Sequence, residues 1–200
     1  MNGCRFDGTR PSMTGTISGM KVEGAYTFPG QPQQVWDLLL DPESLRQCIP
    51  GVESLTETSP DHWDAVMKVG VAAIRGTYKG KVAIVDKQAP TAYTLQVEGS
   101  GGPGFVKGTY KGKVAIVDKQ PPTQYTLQVE GSGGPGFVKG TAKVTLEPSG
   151  DATTVKVEGD GQVGGMLAGV GQRMLPGVAK MLMNQFFECL IARLGAQQAA

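Results

Sequence analysis

Two hundred residues, 40% of them apolar and 6% aromatic, allow one domain with a modest core and exclude a large multidomain enzyme. A net charge of +1 supplies no basic field of the kind that gathers nucleic acid. The three cysteines, Cys4, Cys48 and Cys189, are odd in number, far apart and without CxxC spacing, which argues against a disulfide framework or zinc site and for a reducing cytoplasm.

Residues 1–19 lack the apolar run of about 7–15 residues that a signal peptide carries, and read as a disordered lead with Met20 as the expected start. No run of about 18 uncharged apolar residues exists, so no spanning helix is expected. Lys21 to Phe28 alternates polar and apolar residues as a strand does, and Pro29-Gly30 ends it. Gln31 to Leu40 is a short helix with Pro32 in its first turn and Val35, Leu38 and Leu39 inward. Asp41-Pro42 breaks it, and Glu43 to Cys48 adds a further turn or two. Val52–Thr58 and His62–Ile74 read as strands around the turn Ser59-Pro60-Asp61, with Trp63, Ala65, Met67 and Val69 on one face.

Gly76–Lys107 then recurs at Gly108–Lys139, a shift of 32 residues, with two changes: Ala89 becomes Pro121 and Ala92 becomes Gln124. Two nearly identical copies in a non-repetitive chain fit a tandemly duplicated β-hairpin better than a solenoid, whose repeats are more numerous. The expected strands are Thr77–Asp86 and Tyr93–Glu98, then Thr109–Asp118 and Tyr125–Glu130. An even number of added strands returns the chain in its original direction, so a lengthened sheet is favoured over a loose hairpin, which is marginal alone. Thr141–Glu147 and Thr153–Glu158 complete the strands. The domain therefore spans 20–194, with a short flexible tail at 195–200.

The last long apolar stretch, Gly164–Leu194, is the only segment long enough for those strands to close around. Val163, Leu167, Val170, Met174, Val178, Met181, Leu182 and Cys189 fall on one side at helical spacing. Met183, Phe187, Leu190, Ile191 and Leu194 fall outside that stripe. A helix apolar on nearly all sides is either buried all round or offers a face to a ligand, partner or membrane. Pro176 predicts a kink near Arg173–Pro176, dividing the helix into a first half that walls a pocket and a second half that docks.

No catalytic constellation stands out. Gly99–Gly104, its copy Gly131–Gly136, and Gly159–Gly164 each match GxGxxG, but the first two lead into strands and the third has no returning parallel strand. The single histidine, His62, sits beside a turn without a GxSxG, HExxH or Cys/His signature to serve, and reads as a solvated side chain. Lys79 and Lys81, repeated one period later, put a lysine stripe on the outer sheet face; a solvated face that resists edge aggregation is favoured over an anionic partner.

Strand, short helix pair, antiparallel strands and a long C-terminal helix describe an α+β helix-grip fold: a curved antiparallel sheet of about seven strands plus the duplicated hairpin around the helix. The stretches MKVEGAYTF, VWDLLLDPESLRQCIPGVESL, MKVGVAAIRGTYKGKV, YTLQVEGSGGPGFVKGTAKVTLEP and GDGQVGGMLAGVGQRMLPGVAKMLMNQFF together resemble the G-subunit family of carbon monoxide dehydrogenase, within the START-like (SRPBCC) superfamily. The chain departs from that family in the duplicated hairpin and the lead.

The resemblance implies a non-catalytic accessory protein of a molybdenum-containing carbon monoxide dehydrogenase system, associated with membrane recruitment of that enzyme and with a hydrophobic quinone. No resident cofactor is implied beyond a bound quinone or lipid, and the expected location is cytoplasmic with peripheral contact at the inner membrane face. Expected wall residues of a quinone or lipid pocket are Met67, Val69, Tyr78, Phe105, Leu167, Met174, Val178 and Met181. Flexible Met side chains suit such an adaptable cavity. Phe187, Leu190, Ile191 and Leu194 are the expected docking face if the protein is instead a ligand-free assembly factor of the dehydrogenase or a related molybdenum hydroxylase. A cyclase-like enzyme is the third and weakest alternative, because no paired polar residues are evident at inward positions.

Overall fold

A computed structural model describes residues 16–69, 76–88, 92–101, 108–134, 136–165, 168 and 175–198. The elements run β1 (Thr16–Pro29), α1 (Pro32–Leu40), α2 (Pro42–Cys48), β2 (Val52–Ser59), β3 (His62–Val69), β4 (Gly76–Gln88), β5 (Ala92–Gly101), β6 (Gly108–Gln120), β7 (Gln124–Gly133), β8 (Gly136–Ser149), β9 (Ala152–Gly165) and α3 (Leu175–Gln198). The strands form one nine-stranded antiparallel sheet in the order β1-β9-β8-β7-β6-β5-β4-β3-β2. Residues 1–15 of the expected lead lie outside the described residues, whereas Thr16–Gly19 belong to β1, where Thr16 faces Gly164 of β9.

Both hairpin copies join the sheet. Identical sequences adopt identical internal registers: Lys81 lies opposite Glu98 in copy one and Lys113 opposite Glu130 in copy two. The junctions that follow each copy differ. Glu98 pairs with Lys111 at 3.0 Å, and Glu130 pairs with Lys139 at 2.8 Å. The counterpart of Lys139 in copy one is Lys107, outside the described residues, so the same glutamate meets lysines that are not equivalent by the repeat. A four-residue difference in register leaves every side chain on its original face, because strand periodicity is two.

The two short helices start where their first residues satisfy the free backbone donors. Gln34 Oε1 accepts from the Gln31 amide at 3.0 Å, and Pro32 follows at the position where its missing N–H costs nothing. Asp41 caps α2 by accepting from the Ser44 amide at 2.8 Å and the Ser44 hydroxyl at 2.6 Å. Val35, Trp36, Leu38 and Leu39 of α1 are buried. They meet Ile116, Tyr125, Val144, Leu146, Val155 and Val157 of the sheet in one core, where Trp36 and Tyr125 pack edge to face at 5.5 Å.

The C-terminal helix corrects several expectations. Gly164 and Gly165 end β9 and are not helical. Pro176 lies in the first turn of α3, where proline is tolerated, and residues 173 and 174 of the expected kink at 173–176 lie outside the described residues. The face turned to the sheet is also the other one. Phe187, Leu190 and Leu194 are buried against β1 and the core, while Met181, assigned to the core stripe, is 40% exposed. Phe187 stacks on Tyr26 and packs edgewise against Phe28, so the aromatic residues of β1 select the face that helical periodicity left ambiguous.

Cysteine spacing misled as well. Cys48 at the end of α2 and Cys189 of α3 form a disulfide across 141 residues of sequence. The fold brings two distant positions to a Cα separation of 5.5 Å, within the range a bridge requires. Arg193, one turn beyond Cys189, donates through Nε to Ser44 Oγ at 3.0 Å and through Nη1 to the Gln47 side chain. The second half of α3 is thus tied to α2 by a covalent and a polar link.

Candidate functional site

Strand alternation gives the sheet two unlike faces. The outer face carries cross-strand charge pairs: Glu98–Lys111, Glu130–Lys139, Glu147–Lys156 and Glu53–Lys68. Each lysine stripe is therefore interleaved with acids. The Lys139 ammonium, by hydrogen bond and charge, holds the Glu130 carboxyl below the usual range, but so exposed a pair contributes little to stability. An open groove of about 720 Å³ on this face is lined by Val85, Lys111, Lys113, Glu130, Phe137 and Lys139, among others.

The inner face is apolar and is covered unevenly. At its β1 end it is closed: a Cβ placed on Gly24 would fall 2.7 Å from the Tyr26 ring and 2.9 Å from the Met183 methyl, so α3 sits directly on the strand. Along the sheet the register sets glycines opposite one another, among them Gly80 with Gly99, Gly112 with Gly131, and Gly140 with Gly161. At Gly99 and Gly131 a Cβ would meet nothing nearer than backbone oxygens at 3.5 Å and 3.8 Å. Space a methyl group can enter freely lies above those two positions. Half-buried Trp63, Met67, Tyr78, Val82, Ile84 and Val114 border this bare floor on the same face.

Of the expected pocket wall, Met67 and Tyr78 are brought directly opposite each other on β3 and β4, both half-buried. Val69 ends β3 opposite Gly76, its side chain outside the described set. Val178 is half-buried and Met181 exposed on the first turns of α3. Phe105, Leu167 and Met174 lie outside the described residues. Of the expected docking face, Phe187, Leu190 and Leu194 are core and Ile191 packs partly buried against it, so the first three present nothing to a partner. Exposing them would dismantle the contact between α3 and β1.

One polar pair on the inner seam went unnoticed in the sequence. Tyr26 OH donates to Asn184 Oδ1 at 2.7 Å, with the Tyr26 ring stacked on Phe187 at 4.2 Å. Burial first, and the nearby Glu188 second, push the Tyr26 hydroxyl above its ordinary pKa, so it stays a proton donor at neutral pH. Asn184 precedes Phe187 by three residues on the sheet-facing side of the helix, a spacing that could have flagged it. His62 behaves as a turn residue, its Nδ1 2.9 Å from the Pro60 carbonyl. Among the described residues no group of three or more His, Cys, Asp or Glu side chains is placed to hold a metal, and no helix is long and apolar enough to cross a membrane.

An antiparallel sheet curved around a C-terminal helix, with an apolar core between them, defines a START-like helix-grip protein. The sequence model of CoxG, the G-subunit of carbon monoxide dehydrogenase, matches residues 24–104 and 102–195, two segments that meet inside the duplicated region. The chain belongs to this CoxG family. Among solved structures it is similar to a conserved protein from Geobacillus kaustophilus, at 30% identity and TM-score 0.61 over 90% of this chain and 96% of that one. It is also similar in fold to an uncharacterised protein from Rhizobium leguminosarum, at 9% identity and TM-score 0.59 over 92% of this chain and 99% of that one. The di-domain ARO/CYC StfQ of the steffimycin biosynthetic pathway shares the fold at 8% identity and TM-score 0.58, over 92% of this chain and 53% of StfQ. No curated protein matches the chain.

Proposed function

We propose that this chain is a non-catalytic accessory protein of a carbon monoxide dehydrogenase system that holds a quinone or lipid between the inner sheet face and α3, and so aids membrane recruitment or electron transfer to the quinone pool. The observation that carries this reading is the open glycine floor at Gly99 and Gly131 beside Met67, Tyr78, Val82 and Val114. A bare apolar floor contributes roughly 25 cal/mol for each Å² of apolar ligand surface it removes from water, which suits a long hydrocarbon chain.

Family membership supports the dehydrogenase as partner. Solvent extraction of purified protein, followed by lipid identification, tests the ligand: a stoichiometric quinone or lipid is expected, and an empty preparation that also ignores added menaquinone overturns it. A ligand-free docking role is the second reading. It is favoured by Val129, Phe137 and Val138, which stay 39%, 36% and 37% exposed near the β7–β8 turn. Loss of dehydrogenase co-purification in Phe137→Asp, with ligand content unchanged, would select that role.

A further inference from the structure

Among the described residues one covalent cross-link is not used by the family reading, and it joins α2 to α3. Cys48 ends α2 and is 4% exposed, while Cys189 on α3 is half-buried and more open to solvent. Beside the bridge, Arg193 donates to Ser44, and Ser44 donates to Asp41, which caps α2. Leu190 and Leu194, on the adjoining face of the same helical turns, are core residues. Everything that seats the second half of α3 on α2 therefore lies within about two turns of this disulfide.

We propose that the Cys48–Cys189 bridge is a reversible redox clasp on α3, closed when oxidised and loosened by a dithiol reductant of the thioredoxin class. The more open of the two sulfurs, on half-buried Cys189, sets the chemistry. A thiolate of the dithiol attacks Cys189 Sγ, forming a mixed disulfide and breaking the bond to Cys48 Sγ, which leaves as a thiolate and takes up a proton. The second thiol of the reductant then displaces Cys189 Sγ as a thiolate, which is protonated in turn. Two electrons and two protons pass to the protein cystine, and the reductant leaves as its own disulfide. Once reduced, α2 and α3 keep, among the described residues, the Arg193–Ser44 and Arg193–Gln47 hydrogen bonds and a weak Cys189 Sγ contact to the Gln47 carbonyl at 3.9 Å as polar ties, so the helix end opens more often. The consequence for ligand access rests on the inner-face reading; the clasp itself does not.

The test is hydrogen–deuterium exchange of the full chain before and after reduction by thioredoxin-type dithiol, with peptide mapping under non-reducing conditions. Mapping separates Cys48–Cys189 from any bridge to Cys4. A linked Cys48–Cys189 peptide is expected, together with exchange in 186–198 that speeds by about tenfold or more on reduction and slows again after reoxidation with diamide. Cys189→Ser should exchange at the reduced rate whatever the redox conditions. Free thiols at both positions in the diamide-treated protein overturn the proposal, and so does an intact bridge whose reduction leaves exchange in 186–198 unchanged. Release of bound menaquinone, followed in parallel, reports on the ligand reading: unchanged release with faster exchange leaves the clasp standing and counts against the site.

Discussion

Phe187 of α3 stacks on Tyr26 of β1, ring centroids 4.2 Å apart and planes within 12° of parallel. That contact fixes which side of a nearly all-round apolar helix faces the sheet, and it places Phe187 among the buried core. Phe187→Ala is expected to cost about 3–5 kcal/mol, because it removes a large ring and leaves a cavity the surrounding backbone cannot close. Met181→Ala, at an exposed position of the same helix, should stay within about 0.5 kcal/mol of the parent. Denaturant unfolding of the two variants separates them; equal losses would mean that α3 is rotated from this arrangement.

Removing one copy of the hairpin should leave a folded protein. Residues 76–88 and 108–120 are identical, so β3 meets the same partner sequence after deletion of 76–107, with Met67 now opposite Tyr110 instead of Tyr78. The expected product is a seven-stranded sheet that unfolds cooperatively, with a denaturant slope lower by about one-sixth, in proportion to the surface lost. An aggregated or non-cooperative product would show that the added strands are structurally required.

Asp41 gives the helix pair a pH dependence of known sign. Hydrogen bonding from the Ser44 hydroxyl, then from the Ser44 and Glu43 amides, with Arg193 adding charge, holds its carboxyl below the ordinary range despite some burial. A folded pKa below the unfolded one means that the unfolded chain binds more protons in acid. The contribution is complete above the ordinary carboxylate value and is lost as pH falls through the folded pKa. Asp41→Asn keeps a capping acceptor and should flatten the acid limb of the stability curve. Asp41→Ala should also lose the cap, at about 1 kcal/mol near neutral pH. Thermal melts from neutral pH downward through the ordinary carboxylate range follow the loss.

Tyr26→Phe preserves the stack on Phe187 and removes only the hydrogen bond to Asn184. The expected loss is about 1 kcal/mol in urea unfolding. A loss several times larger would mean that the hydroxyl supports more of the seam than its single bond.

The strands were legible because alternation is a strong local signal, and the duplicated hairpin showed its even parity in sequence alone. Trp63, Met67, Val82 and their neighbours fall where period two puts them. The face of α3 was not legible, since apolar residues surround it and the choice was made by Tyr26 and Phe28 some 160 residues away. Nor was the bridge, because Cys48 and Cys189 meet only after the helices cross. The glycine floor depended on cross-strand register. Gly112 faces Gly131 only once β6 and β7 are paired; in sequence Gly112 sits inside an expected strand and Gly131 opens a decoy phosphate loop.

The most direct measurement is native mass spectrometry of the parent and Gly131→Leu with added menaquinone and lipid identification. Gly131 has open space above it, so a leucine should fit without unfolding the sheet while filling the floor. The parent should carry one quinone or lipid per chain, and Gly131→Leu should remain folded but bind at least about tenfold more weakly, the equivalent of about 1.4 kcal/mol. Equal occupancy in both proteins, or none in either, would contradict a ligand site on the inner face.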